Sequence, residues 1–570
     1  MTNFSRPKRS FLPEDFRVTI WDSLEVFYQN LLDSELNSLL DLEALLNDRN
    51  ELEAVLEEDF AWRYIKMNCH TENETFKQRF ADFIENIQPK LAVWGDKLNK
   101  KIVQNKFFKE LPDNPYLTFK RSLEVSVKIF REANVPIFTE IETLSQKFGE
   151  INGAMTIEYK GEELTMQAAA QMLESENRNE RETVYQLMTE RRLDDQEALD
   201  DVLDALVSKR HQVALNAGFD NFRDYQFAAL GRFDYTAEDC KKWHDVVAEH
   251  IVPLVKIIDN QRRENLELDN LKPWDMSVEP TGAPALKPFS DGADLLKKTK
   301  SGFKKLDPSF AEFLETMEGL GHFDLESRKN KAPGGFNYPL YEIGAPFIFM
   351  NAVGTQRDLE TMVHEGGHAI HSFLSKDLSL NEFKSTPAEV AELASMTMEL
   401  ISMDIWDEFY ADADPLHRAK QQKIEDSIVT LPWVAIVDKF QHWLYENPKH
   451  TRAERRAQWL EIHNTLSSGV VDFTNFENAL ANAWQKQMHI FEVPFYYIEY
   501  GFAQMGAISM WKNWEIDRDK ALKGYQDFMK LGYTKTIPEI YEAAGIKFDF
   551  SDEYVEALAD FMQLKLNQNR

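Results

Sequence analysis

Cysteine is almost absent: the chain of 570 residues contains two, Cys69 and Cys240. A secreted protein of this size more often carries a disulfide framework, so the scarcity points to a reducing compartment and a cytoplasmic location. Glycine (23) and proline (21) are also sparse, which excludes collagenous and linker-rich designs and leaves long stretches with no helix breaker. No uninterrupted apolar run reaches about 18 residues, so no membrane-spanning helix is expected. The basic segment Met1 to Arg9 is followed by Pro13, Glu14, Asp15 and Arg17, where a secretory leader needs an apolar core. Positive charge is in deficit, with 65 Lys and Arg against 96 Asp and Glu, a net charge of −31. Such a surface repels phosphate backbones and anionic lipids, so neither nucleic acid nor membrane is an expected partner.

Apolar content is ample: 43% of residues are hydrophobic and 12% aromatic, enough for large cores. The length suggests about three to five core-sized units. Between the rare breakers the chain is rich in Leu, Glu, Ala, Lys and Gln, so the expected fold class is mostly α. Apolar residues recur at spacings of three and four from Leu31 to Phe60, Leu117 to Gly149, Thr165 to Ala217, Thr236 to Leu266 and Asp291 to Glu318, as amphipathic helices require. The stretch from Pro273 through Pro280, Gly282, Pro284 and Pro288 is rich in breakers and reads as a long surface connection or a domain boundary. Around residues 333 to 353 a glycine loop, Pro333-Gly334-Gly335-Phe336-Asn337-Tyr338-Pro339, leads into a run from Ile343 to Val353 that reads as a β-rich strand, expected at an edge because of its prolines and glycine.

A helix expected over Gln356 to Lys376 contains His364-Glu365-Gly366-Gly367-His368. Four-residue spacing puts both imidazoles on one helix face, where they can share a zinc ion, with Glu365 beside the open coordination position. Two adjacent glycines inside a helix cost about 1 kcal/mol each relative to Ala, which calls for close approach of another element. A third ligand is needed. One class of zinc protease uses a His six residues past the second ligand with Gly midway, but Leu374 and His371 occupy those positions. Another class uses a Glu from a following helix, and the segment after Pro387 offers Glu389, Glu392 and Glu399 near one face.

The run from His364 to His371, followed by Glu392-Leu393-Ala394-Ser395-Met396-Thr397-Met398-Glu399, resembles the thimet oligopeptidase and oligoendopeptidase F family of zinc peptidases. Lys331 to Phe336 is similar to the family's glycine loop, Pro346 to Asn351 to the strand before its zinc helix, and His489 to Gly501 to its segment of histidine and tyrosines. Weaker likeness reaches back to about residue 180, so the chain divides into a helical region 1–180 and a catalytic region 181–570 packed against it. The pattern departs at Gly366, where the family carries Phe. The resemblance implies a zincin-like helical fold with a small β-sheet beside the zinc helix and a deep channel between two lobes. It implies one Zn2+ per chain, held by His364, His368 and Glu392, with Glu399 orienting a ligand histidine.

By the same resemblance Glu365 is the general base that activates a metal-held water. His489 and one or more of Tyr496, Tyr497 and Tyr500 stabilise the oxyanion. Gly334, Gly335, Phe347 and Phe349 contact substrate, the strand by adding peptide backbone to its edge. The implied activity is cleavage of internal bonds in short unstructured peptides, by a monomer or homodimer. A zinc carboxypeptidase-type exopeptidase and an inactive peptide-binding protein are the alternatives. His371 reads as a packing residue, and Cys69, Cys240 and the remaining histidines have no constellation around them.

Overall fold

The computed structural model describes residues 6–568, so the first five residues of the basic N-terminal segment lie outside the description. Helices dominate. The chain forms two compact units, each woven from three separated segments: one from 1–130, 286–420 and 502–548, the other from 131–285, 421–501 and 549–570. Two units rather than three to five follow from this weaving, because segments distant in sequence share one core. Compactness thus groups the chain differently from a single division near residue 180. The stretch rich in breakers is irregular after Pro273–Asp275, and one change of unit falls within it, after Ala285.

The helical periodicities become pairs of helices broken where the apolar spacing lapses. Leu31 to Phe60 falls on Trp21–Asp33 and Leu39–Cys69, and Asp291 to Glu318 falls on Gly292–Leu306 and Pro308–Leu320. The second of these breaks is set by Asp307, whose carboxylate accepts from the Ser309 amide at 2.8 Å, ahead of Pro308 at the first helical position. In the first unit a core that includes Leu24, Leu42, Phe83, Leu98 and Phe119 joins the first five α-helices and also takes in Leu380 and Phe383 from the middle segment.

A three-stranded sheet in the first unit places Phe347–Ala352 in the centre, parallel to Phe323–Glu326 and antiparallel to Phe336–Tyr338. The strand Phe347–Ala352 is therefore not an edge, contrary to the reading of its prolines and glycine. Gly344 and Pro346 both lie before its first residue, so neither interrupts the ladder. The edges are Phe323–Glu326 and Phe336–Tyr338. One face of the sheet packs on the long helix Leu39–Cys69, with Ala61, Ile65 and Cys69 against Leu340, Phe347 and Phe349. In the second unit the only regular sheet among the described residues is the hairpin Thr156–Tyr159 and Glu162–Thr165, with Thr156 opposite Thr165.

Candidate metal centre and active site

The central strand delivers the chain to the helix Gln356–Ser375 through a tight capping box. Asp358 accepts from the amides of Val353, Gly354 and Thr355 at 2.9, 3.0 and 2.9 Å, and Thr355 Oγ1 accepts from the Asp358 amide at 3.3 Å. From the edge strand, Asn337 donates to the Glu365 carbonyl at 3.2 Å, tying that strand to the middle of the helix. The helix packs along Ala388–Ile401, which starts after Pro387.

The two glycines set the approach of these elements. A Cβ on Gly367 would lie 2.7 Å from the Ser395 Cα and 2.9 Å from the Ala394 carbonyl, so the second helix sits directly against backbone. A Cβ on Gly366 would meet the Phe303 ring at 2.8 Å. The Phe303 ring thus occupies the space that a side chain at 366 would need. Tyr525 and Tyr541 donate to the carbonyls of Ala394 and Glu389 at 2.7 and 2.9 Å and hold the second helix from behind.

Close packing brings three candidate ligands together. Glu392 Oε2 lies 3.3 Å from His364 Nε2 and 3.6 Å from His368 Nε2. Metal–ligand bonds of about 2.0–2.2 Å in tetrahedral geometry require ligand–ligand edges of about 3.3–3.6 Å, so the donor set fits zinc. The other ring nitrogen of His364, Nδ1, pairs with Glu399 Oε1 at 2.6 Å, and Ser395 donates to Glu392 Oε2 at 3.0 Å. Of the three acids left open by spacing, Glu392 thus faces both imidazoles and Glu399 backs one of them. Glu389 is buried and belongs to no such group.

Electrostatics follow from this crowding. Burial opposes charge on His364, but its hydrogen bonds to Glu392 and Glu399 hold it well above the usual imidazole range. Burial also penalises charge on Glu392, yet His368 and His364 hold its carboxyl well below the usual range. Glu365, 6% exposed, is pushed up by burial against the opposing pull of the same imidazoles. His371 is pushed down to about 3 by burial and then by His368, which keeps it neutral, and its ring lies on Phe528.

The remaining site residues divide. Phe347 and Phe349 are 5% and 0% exposed in the central strand, with both strand edges already paired, so their assignment to substrate contact is corrected. Phe349 stacks on Phe336 instead. Gly334 and Gly335 are exposed in the loop before the edge strand. Gly334 has φ +98°, a conformation that favours glycine, and Asn351 donates to its carbonyl at 2.9 Å. In the second unit His489 and the three tyrosines form one cluster. The His489 ring lies 4.7 Å from Tyr497, 5.8 Å from Tyr500 and 6.3 Å from Tyr496, all half-buried, and its Nδ1 meets Gln487 at 2.7 Å.

The comparisons with known proteins agree with this geometry. Oligoendopeptidase F, chromosomal, of Lactococcus lactis subsp. cremoris is 23% identical over 70% of this chain and 64% of its own length. Oligopeptidase PepF of Bacillus subtilis (strain 168) is 22% identical over 70% of this chain and 58% of its own. The chain therefore matches less than two thirds of the length of these curated relatives. Among solved structures, PZ peptidase A with inhibitor 2 superposes with a TM-score of 0.91 at 26% identity, covering 97% of this chain and 99% of that one. Oligoendopeptidase-F from Enterococcus faecium, at 16% identity and a TM-score of 0.66 over 96% of this chain and 98% of its own, shares the fold. The Peptidase M3 N-terminal domain matches residues 11–130 and Peptidase family M3 matches residues 171–560. The second match alone spans more than half of the sequence and contains every residue of the candidate centre, and the chain belongs to Peptidase family M3.

Proposed function

We propose that the chain is a zinc-dependent oligoendopeptidase that hydrolyses internal bonds of short unstructured peptides. The observation that carries this reading is the convergence of His364, His368 and Glu392 with Glu365 one residue from a ligand, in a chain of this family. His364 and His368 would hold the ion through Nε2 and Glu392 through a carboxylate oxygen. Zinc bound there supplies a Lewis acid that polarises the scissile carbonyl and acidifies water. Glu365 does not ligate. It takes the proton of the attacking water and hands it to the departing amine. Glu399 fixes the His364 ring through Nδ1, so that Nε2 keeps its lone pair for the metal.

Peptide backbone adds to the edge strand Phe336–Tyr338, whose outer side has no strand partner in the sheet. His489, Tyr496, Tyr497 and Tyr500 supply donors to the oxyanion, a role supported by their clustering as half-buried polar rings. The glycines at 334 and 335 border the edge strand, where a peptide lying on it would pass.

The decisive experiment is cleavage of mixed short peptides, blocked at both ends, read by mass spectrometry with and without a chelator. Internal cleavage that is lost on chelation and restored by zinc is expected. Cleavage confined to peptides with a free terminus would replace the reading with an exopeptidase, and none at all from zinc-loaded protein would replace it with a peptide-binding role.

A further inference from the structure

Cys240 is not isolated as its place in the sequence suggests. It stands four residues before His244 in the helix Ala237–Val246, and Asp438 stands four residues before His442 in the helix Ala413–Glu446. Both pairs have the one-turn spacing that put two imidazoles on one face in the peptidase centre. All four lie in the second unit, and the helices bring them together although 194 residues separate His244 from Asp438. Cys240, His244 and Asp438 are 0% exposed and His442 is 2% exposed. His244 Nε2 lies 2.8 Å from Asp438 Oδ2, and His442 Nε2 lies 3.2 Å from the same oxygen. One ligand atom each from Cys240, Asp438 and His442 falls within 4.8 Å of the other two.

The surroundings are apolar. The His442 ring lies 5.8 Å from Phe227 and 5.3 Å from Phe495, and the Trp243 ring flanks His244 at 6.0 Å. A carboxylate in such a setting needs full compensation. Yet Asp438 Oδ1, His244 Nδ1 and His442 Nδ1 are buried with no hydrogen-bond partner, and a buried polar group left unmet is costly. Cys69, the other cysteine, contrasts with Cys240: burial and the Asp324 carboxylate push its thiol up to about 12, and no histidine joins it in a ligand group.

We infer that Cys240, Asp438 and His442 form a second, structural zinc site, with His244 orienting the Asp438 carboxylate. The geometry points to zinc because thiolate, imidazole and carboxylate together suit a borderline tetrahedral ion and not the oxygen-seeking Mg2+ or Ca2+. Bonds of about 2.0–2.3 Å imply ligand–ligand edges of about 3.3–3.8 Å, so the three atoms close in by at most about an ångström on binding. Cys240 releases its thiol proton as it ligates. Bound there, the ion staples the two helices at the point where Trp243 packs on the Tyr500-Gly501 turn. A Cβ on Gly501 would lie 2.5 Å from the Trp243 ring. The tyrosine cluster would thus be braced by a metal that takes no part in chemistry.

Metal content of the full chain, produced in medium containing zinc and desalted, tests this independently of peptide cleavage. Two zinc ions per chain are expected, and the double variant His364→Ala, His368→Ala should keep one. Produced with cobalt, that double variant should show near-ultraviolet thiolate-to-cobalt charge transfer, because the peptidase centre contains no sulfur. Adding Cys240→Ser should abolish the band, and adding Cys69→Ser should leave it. A single zinc in the unaltered chain, none in the double variant and no thiolate band would overturn the inference and leave a metal-free His–Asp–His network. Count and band are read on chains with an intact Cys240, so they decide the matter even where Cys240→Ser does not fold.

Discussion

Individual residues of the centre divide between those that do chemistry and those that hold others in place. Glu365→Gln removes the base and keeps the size, so kcat should fall by about 10²- to 10⁴-fold with zinc content unchanged. Cleavage at the wild-type rate would remove Glu365 from the mechanism. Glu399→Ala takes away the partner of His364 Nδ1 at 2.6 Å. It should weaken zinc binding by about 10- to 100-fold, read by competition with a chelator. In the second unit, burial and then Lys486 lower His463 to about 4, and its Nδ1 is buried without a partner. Above about pH 6.5 it is neutral whether the chain is folded or not; below that the unfolded chain takes the proton first. The stability it contributes is therefore present above about pH 6.5 and lost as pH falls toward about 4, by roughly 2–3 kcal/mol after allowing for its partial exposure. Urea midpoints at about pH 7 and about pH 4.5 should differ less for His463→Gln than for the parent chain, and equal losses would contradict this.

At the scale of elements, the contact between Gln356–Ser375 and Ala388–Ile401 decides the geometry of the centre. Gly367→Ala gains about 1 kcal/mol of helix propensity, but its Cβ meets backbone at 2.7 Å, and overpacking of that kind costs about 1–3 kcal/mol. Thermal stability should fall, and zinc affinity should fall with it, because the helix that moves carries Glu392. An unchanged zinc affinity in the variant would show that the two helices need not touch at 367. The motif His364-Glu365-Gly366-Gly367-His368 was legible because helical period alone aligns its histidines. The choice among Glu389, Glu392 and Glu399 was not, since spacings of three and seven keep all three near one face and only the rotation of that helix against its neighbour separates them. The strand Phe347–Ala352 was misplaced for a related reason. Gly344 and Pro346 precede it, and breakers ahead of a strand look alike whether it lies at the edge or in the centre.

For the whole molecule, residues 6–130 belong to the unit that carries the candidate metal centre. Leu380 and Phe383 sit among the N-terminal helices, and Ala61, Ile65 and Cys69 cover the sheet beneath Phe347 and Phe349. A chain starting at residue 131 exposes that sheet face and should lose cooperative thermal unfolding and become prone to aggregate, read by calorimetry and soluble yield. A sharp transition from the shortened chain would show that the covering helices are dispensable. The periodic apolar spacing foretold these helices but not their partners, because an amphipathic face specifies that something covers it and leaves open what does.

Composition and local spacing by themselves determined the mostly helical class, the net acidic charge, the placing of His364 and His368 on one helix face and the start of the Glu392 helix at Pro387. These follow from properties read within a few residues: propensity, period and capping. Tertiary structure alone decided which acid meets the histidines, which strand is the edge, which segments build each unit, and that Cys240 and His244 meet Asp438 and His442. Each of those depends on contacts between segments tens to hundreds of residues apart, and a side chain's neighbours across such distances are fixed by packing, which no local pattern encodes.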